Sequence, residues 1–461
     1  MLKRSIGDIA AACNGRACNC GLADNVGKIV INDKTVEKDC LFVALKGESF
    51  DGNSFISSAL EKGAKAVLTD KTQTENVPYI LVDDARKALI DMAHFFRLKE
   101  RKNVVCVTGS VGKTTVKELI ASILSTNKTV LKTDGNKNNT VGLPLTLLSD
   151  DGTETAVLEM GISEVGEMDA LSYASVPDVA VITNIGSMHA ESLGTRENIA
   201  REKMKCVSCA SEGAVTFVPY GEPLLNGIQN KMTVGIDEAR ADVYAKNVIF
   251  YEDGSSFDVV FLKSNGESCE IKNVFVPITG KHGVIDALFA CAVARELGAS
   301  DESITLGIGG YKNDPLRQNI FSKNGVKVMV DCYNSGPESL CASLEAFARI
   351  SRSADPRKTV LLLGSMLELG DISASEHIKI GEMIAEMGFT HIVTVGEEAK
   401  CFALGALMGN AKVKTVSFSE DEREAVMEYL SKTDFCGGAV LIKGSRKMKM
   451  EEFLPYTVKE D

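Results

Sequence analysis

The chain has 461 residues, with 51 basic against 63 acidic side chains and a net charge of −12. That balance argues against nucleic acid or an anionic membrane as partner, since both reward a basic surface. The length allows about three domains, each able to bury its own core. No apolar stretch reaches the length of a membrane span, the N-terminus has no long apolar leader, and the 13 cysteines are scattered rather than framed. The expectation is a soluble cytoplasmic protein without a disulfide scaffold.

In chain order, short apolar runs at 41–45, 66–68 and 79–82 alternate with a helical stretch near 55–62, which reads as a small α/β unit over residues 1–84. Residues 104–115 then read VVCVTGSVGKTT, an apolar strand, a glycine-bearing turn and the opening of a helix. Gly109 and Gly112 let backbone N–H groups curl round an anion, Lys113 adds a positive charge, and Thr114 offers a hydroxyl to Mg²⁺. The stripe Val116, Leu119, Ile120, Ile123 and Leu124 has helical spacing, so the turn sits at a helix N-terminus. Gly109, Ser110, Val111, Gly112, Lys113, Thr114 and Thr115 are therefore the expected ATP-phosphate contacts. The generic phosphate loop has an earlier glycine where this chain has Val107.

Further strand-like runs follow at 156–158 and 179–183, and Asp253-Gly254 and Asn265-Gly266 are hairpin signals that imply an antiparallel appendage closing a central unit over 85–313. From 314 to 461, runs at 326–330, 359–363, 391–395 and 439–442 alternate with helical stretches near 338–350, 375–387 and 421–430. This is the rhythm of a doubly wound, Rossmann-like parallel sheet, which binds ligands at the carboxyl ends of its strands. The expected fold is α/β with three domains.

Candidate site residues fall at strand ends and in polar loops. Glu159 closes the run TAVLEMG, where it reads either as a magnesium ligand or as a solvated terminus. His189 reads either as a metal ligand or as a turn cap. Asn136, Asn138, Asn139 and Thr140 have no core role in the stretch DGNKNNTVGLPLTLL, and this Asn-rich loop reads as a substrate contact or a plain turn.

Together TGSVGKTT, NNTVGLPLTLL, LEMG and TNIGSMHAESLG resemble the ATPase domain of the Mur ligases, and CLFVALKGESFDGNSF resembles that family's uridine-nucleotide sugar domain. DCYNSGPESL, LGSMLELGD and LIKGSRKMKMEE resemble the branch whose acceptor is a dipeptide, and the DNPR signature of the branch that adds a diamino acid is absent from the C-terminal segment. The resemblance implies an ATP-dependent ligase that phosphorylates the terminal carboxylate of UDP-N-acetylmuramoyl-tripeptide and joins it to D-alanyl-D-alanine, with a monomer as the working unit. It implies Mg²⁺ at Thr114 and Glu159, a second Mg²⁺ at His189, and a carbamylated Lys203, although Arg201, Lys203 and Lys205 also read as an ordinary solvated helix face. Arg317 is implied near the phosphates, Asp286 at the base, and Asp331 and Asn334 over the nucleotide. Lys443, Ser445 and Arg446 are the basic-loop candidates for the acceptor carboxylate, against a solvated tail as the alternative. Asn32, Asp33, Lys34, Lys46, Gly47, Asp51 and Gly52 are the implied nucleotide-sugar contacts.

Several positions depart from the family pattern. Asn32-Asp33-Lys34 replaces Asp-Ser-Arg, Asp286 and Gly283 replace asparagines, Asn334-Ser335-Gly336-Pro337 replaces Asn-Ala-Asn-Pro, and Ser365 replaces an aspartate. They keep open a Mur-type ligase with another amino-acid, dipeptide or depsipeptide acceptor; a non-ligase ATP-driven switch is the second alternative.

Overall fold

The structure is a computed structural model that describes residues 3–47, 50–73, 76–100, 102–262 and 265–458. The N-terminal unit is a sheet of β1 (Arg16–Cys18), β2 (Ile29–Val30), β3 (Leu41–Val43), β4 (Ala66–Thr69) and β5 (Tyr79–Leu81) in the order β1-β5-β4-β3-β2. All pairs are parallel except β1 with β5. Residues 48–49 of the CLFVALKGESFDGNSF motif lie outside the described residues. Helix α1 (Ala85–Glu100) follows and packs between this unit and the next. One apolar cluster runs from Leu41 and Leu68 through Leu89 and Met92 to Leu143, Leu158 and Leu171, so the N-terminal unit is fused to one face of the central sheet.

The central sheet is built on β6 (Asn103–Thr108), β7 (Val130–Lys132), β8 (Thr155–Glu159), β9 (Val179–Ile182), β10 (Val215–Pro219), β11 (Lys231–Ile236), β12 (Val243–Phe250), β13 (Ser255–Leu262) and β14 (Ser268–Val276). Its order is β14-β13-β12-β11-β10-β9-β6-β8-β7, with β6 in the interior. Strand β6 is buried on both faces, which explains its unbroken apolar run: Val105 and Val107 face one cluster, Val104 and Cys106 the other. Helix α2 (Lys113–Leu124) lays its stripe of Val116, Leu119, Ile120, Ile123 and Leu124 on the Val105 face, each fully buried. Fully burying one such side chain contributes about 2 kcal/mol. The expected antiparallel appendage is present as the β12–β13 and β13–β14 pairs, and it continues the same sheet rather than standing apart from it. Helix α3 (Arg196–Met204) follows β9, and α4 (Lys281–Glu296) packs beside α2.

The C-terminal sheet comprises β15 (Asn319–Lys323), β16 (Val326–Asp331), β17 (Val360–Gly364), β18 (His391–Val395), β19 (Lys414–Phe418) and β20 (Ala439–Lys443), ordered β15-β16-β20-β17-β18-β19. Only β15 is antiparallel. Helix α5 (Pro337–Ile350) covers one face, and Leu361 and Leu363 point into that core while Val360 and Leu362 point into the other. Among the described residues no helix is long and apolar enough to cross a membrane.

Candidate active site

The carboxyl ends of β6, β8 and β9 face those of β16, β17 and β20 across a cavity of about 660 Å³. Both sheets thus present the end at which parallel α/β sheets bind ligands.

The loop between β6 and α2 is locked by its glycines. Gly109 has φ +144°, and a Cβ there would stand 1.9 Å from Thr183 Oγ1; Gly112 has φ +85°, and a Cβ would stand 2.6 Å from Asp286 Oδ1. Any side chain at either position meets both a clash and an unfavourable backbone conformation. From the opposite side Asn184 braces the loop, its Oδ1 accepting from the amides of Ser110 (3.0 Å) and Val111 (2.9 Å). Thr183 Oγ1 donates to the Val111 carbonyl, and Ser110 Oγ accepts from Gly186 N at 2.9 Å. Sequence reasoning missed Thr183 and Asn184; their signal was the polar pair directly after the β9 run.

Lys113 folds over the loop, donating to the carbonyls of Gly109 (2.8 Å) and Ser110 (3.3 Å). Burial pulls its ammonium below the ordinary lysine range, against the opposing pull of Glu159. The Thr114 hydroxyl donates to Glu159 Oε2 at 2.9 Å, and Asn138 Nδ2 donates to Glu159 Oε1 at 2.8 Å. Glu159 is buried at the end of β8, so it is no solvated terminus. From the start of the C-terminal unit, Arg317 Nη2 donates to Thr114 Oγ1 at 2.9 Å while its guanidinium lies 3.6 Å from the centre of the Tyr333 ring. Hydroxyl and carboxylate oxygens in this arrangement are the hard donors that Mg²⁺ selects beside phosphate oxygens.

Lys203 is turned inward from α3 and only 1% exposed, which overturns its reading as part of a solvated helix face; Lys205 takes that place, paired with Asp169 and Glu202. Lys203 Nζ donates to the Gly109 carbonyl at 3.1 Å from behind the loop. Burial pulls it well below the ordinary lysine range, and the Lys113 charge adds to the effect.

His189 has φ +66° and lines the cavity, where Nδ1 lies 3.0 Å from Glu368 Oε2 of the C-terminal unit. His189 and Glu159 line the same cavity, and among the described residues no three His, Cys, Asp or Glu side chains form a metal-holding group. The adjoining loop is clasped by Glu338 on α5, whose Oε1 accepts from Ser187 N at 2.8 Å.

Asp286 on α4 is buried beside Gly112, and burial drives its carboxyl well above the usual range despite the opposing Arg317 charge. Asp331, at the end of β16, accepts from Lys443 Nζ at 2.7 Å and from Ser343 Oγ. Burial pushes Asp331 up, but Lys443 and the hydrogen bonds outweigh it and leave the carboxyl below its ordinary value. Asn334 also lines the cavity, and its carbonyl accepts from Lys443 at 3.1 Å.

Three groups of expected contacts need correction. Lys443 is 1% exposed and committed to Asp331, so it is neither a solvated tail nor a free carboxylate receptor. Ser445 is buried as a brace, accepting from Leu367 N at 2.9 Å and donating to the Ser335 carbonyl at 3.3 Å, and Arg446 is paired with Glu451. Asn139 lines the cavity but uses its Oδ1 to cap the turn at Val141 and Gly142, whereas Thr140 does not line the cavity. Asn32, Asp33, Lys34, Lys46, Gly47, Asp51 and Gly52, the expected nucleotide-sugar contacts, do not line this cavity and lie in the N-terminal unit. There Asn32 caps Lys34 N, Asp33 pairs with Lys62 at 2.6 Å, and Asp51 pairs with Lys71 at 2.6 Å and bridges Lys46.

A phosphate loop facing the strand ends of a second parallel sheet across one cavity defines a nucleotide-dependent α/β enzyme of three units. Residues 26–97 match the Mur ligase family catalytic domain, 107–294 the Mur ligase middle domain, and 316–446 the Mur ligase glutamate ligase domain. The chain is 36% identical, over 98% of both chains, to the UDP-N-acetylmuramoyl-tripeptide--D-alanyl-D-alanine ligase of Bacillus subtilis, and 29% identical, over 92% of both, to the ligase of that name from Escherichia coli. Among solved structures it resembles MurF from Acinetobacter baumannii with a TM-score of 0.87, 27% identity and full coverage of both chains. It also resembles the MurF ligase of Thermotoga maritima in complex with ADP, with a TM-score of 0.79 and 29% identity over 94% of this chain and 97% of that one. The chain belongs to the Mur ligase family.

Proposed function

We propose that this chain joins D-alanyl-D-alanine to the terminal carboxylate of UDP-N-acetylmuramoyl-tripeptide, with ATP converted to ADP and phosphate, in peptidoglycan precursor synthesis. The full-length match to the Bacillus subtilis ligase carries the substrate assignment. A carboxylate oxygen of the donor attacks the γ-phosphorus, the bond to the β-phosphate oxygen breaks, and an acyl phosphate forms. The dipeptide amine then adds to the acyl carbon and loses a proton. Collapse of the tetrahedral adduct expels phosphate and leaves the peptide bond.

No enzyme nucleophile is required, so the protein's task is positioning and charge neutralisation. Lys113 and Arg317 converge on the head of α2 and would face the phosphoryl oxygens. Mg²⁺ held by Thr114 and Glu159 would supply further neutralisation there, which their adjacent oxygens support. Asn138 orients Glu159. For Lys203, burial and a depressed pKa favour a neutral amine, the form that adds CO₂ to give a carbamate anion; His189 is a second magnesium-facing candidate. A nucleotide-linked donor and ATP support a cytoplasmic setting, and the family resemblance supports a monomer. The domain division 1–84, 85–313 and 314–461 assigns donor, ATP and acceptor to successive units.

The test is phosphate release from ATP and Mg²⁺ with the donor, with and without the dipeptide, combined with product mass. Release that requires both substrates and yields the pentapeptide is expected. ATP turnover indifferent to the dipeptide would overturn the reading.

A further inference from the structure

We propose that Lys447 binds the carboxylate of the incoming dipeptide; the proposal rests on the acceptor reading above. A free dipeptide is a zwitterion, so its site needs a cation for the carboxylate, placed away from the phosphates where the amine reacts. The cavity cations are otherwise engaged. Lys113 and Arg317 address the phosphate loop and Thr114. Lys443 is buried against Asp331, and Arg446 pairs with Glu451. Lys447 is exposed, lines the cavity, and has no ion pair among the described residues.

Its backbone is held on both sides. Ser445, buried, is tied to Leu367 N and the Ser335 carbonyl, and Met448 is 1% exposed. The turn that carries Lys447 is thus already fixed before binding, so only the side chain itself has to be ordered. The same wall carries Glu368, whose Oε2 lies 3.0 Å from His189 Nδ1. The phosphate-facing groups Lys113, Thr114 and Glu159 belong to the central unit and Arg317 to the very start of the C-terminal one, which leaves the rest of the C-terminal wall for the acceptor.

The experiment measures KM separately for dipeptide, ATP and donor in the wild type, Lys447→Gln and Lys447→Arg, with thermal melts to check folding, and repeats it with a dipeptide whose carboxylate is an amide. Lys447→Gln is expected to raise the dipeptide KM on the order of tenfold, the scale of one lost charged hydrogen bond. KM for ATP and donor should stay unchanged and Lys447→Arg should remain near wild type. The wild type should discriminate against the amide and Lys447→Gln should do so less. An unchanged dipeptide KM in a folded Lys447→Gln enzyme, or a rise in KM for ATP or donor instead, would overturn the proposal. Failure of the underlying reading shows differently, as wild-type turnover that ignores the dipeptide, and would remove both.

Discussion

Lys203 Nζ donates to the carbonyl of Gly109 at 3.1 Å, so a buried lysine from α3 supports the phosphate loop from behind. The charge that acts on it most strongly is that of another lysine, Lys113, rather than of a carboxylate. Two lysines at one loop suit a site that receives several phosphate charges, and a neutral amine at Lys203 suits carbamate formation. Lys203→Ala is expected to lose at least 10²-fold in kcat, as for removal of a charge-stabilising group, with partial rescue by short carboxylic acids. Near-normal activity of the alanine variant would remove Lys203 from the chemistry.

Asp286 gives a pH signature. Its folded pKa is raised by burial, so between 3.8 and that raised value the native state holds more protons than the unfolded state. Its contribution therefore favours folding at low pH and is lost as pH rises through the folded pKa. Asp286→Asn removes this loss and should stabilise the ligand-free protein at neutral pH by about 1–3 kcal/mol, the scale of an uncompensated buried polar group. Urea unfolding from pH 5 to 8 measures it. A variant no more stable than the wild type at pH 8 would contradict the burial argument.

Lys443 and Asp331 are register partners on adjacent parallel strands, β20 and β16. Removing one member of a buried pair strands the other, at about 3–5 kcal/mol. Lys443→Ala should lose stability on that scale, and the double variant Asp331→Asn/Lys443→Met should regain much of it. A Lys443→Ala protein that melts like wild type and shows only a raised dipeptide KM would return Lys443 to the role of carboxylate receptor.

Asn184 holds two loop amides with one oxygen. Asn184→Ala should raise the ATP KM on the order of tenfold while leaving the dipeptide KM alone, because two hydrogen bonds of about 1 kcal/mol each are lost from the loop's preorganisation. Equal changes in both KM values would indicate general loosening instead.

The β6–loop–α2 unit was legible because the signals are local: an interior strand reads as an unbroken apolar run, and α2 shows a buried stripe. Edge strand β19 escaped notice because KTVSF is half-exposed with no apolar run, and β7 has only three residues. Individual site residues were harder. The run ending in Lys443 resembles any strand leading to a basic loop, and only the crossover that inserts β20 between β16 and β17 brings Asp331 beside it. Glu338 and Glu368 likewise act on a loop of another unit, a relation that spacing along the chain does not encode.

The claim at the centre of this account is phosphorylation of the donor carboxylate, with Lys113, Thr114, Glu159 and Arg317 gathered at the head of α2 for that step. A donor carrying ¹⁸O in both oxygens of its terminal carboxylate tests it directly. Turnover with ATP and D-alanyl-D-alanine is expected to leave one label in the new amide carbonyl and to transfer one to the released phosphate. Unlabelled phosphate, or release of pyrophosphate in its place, would contradict the account.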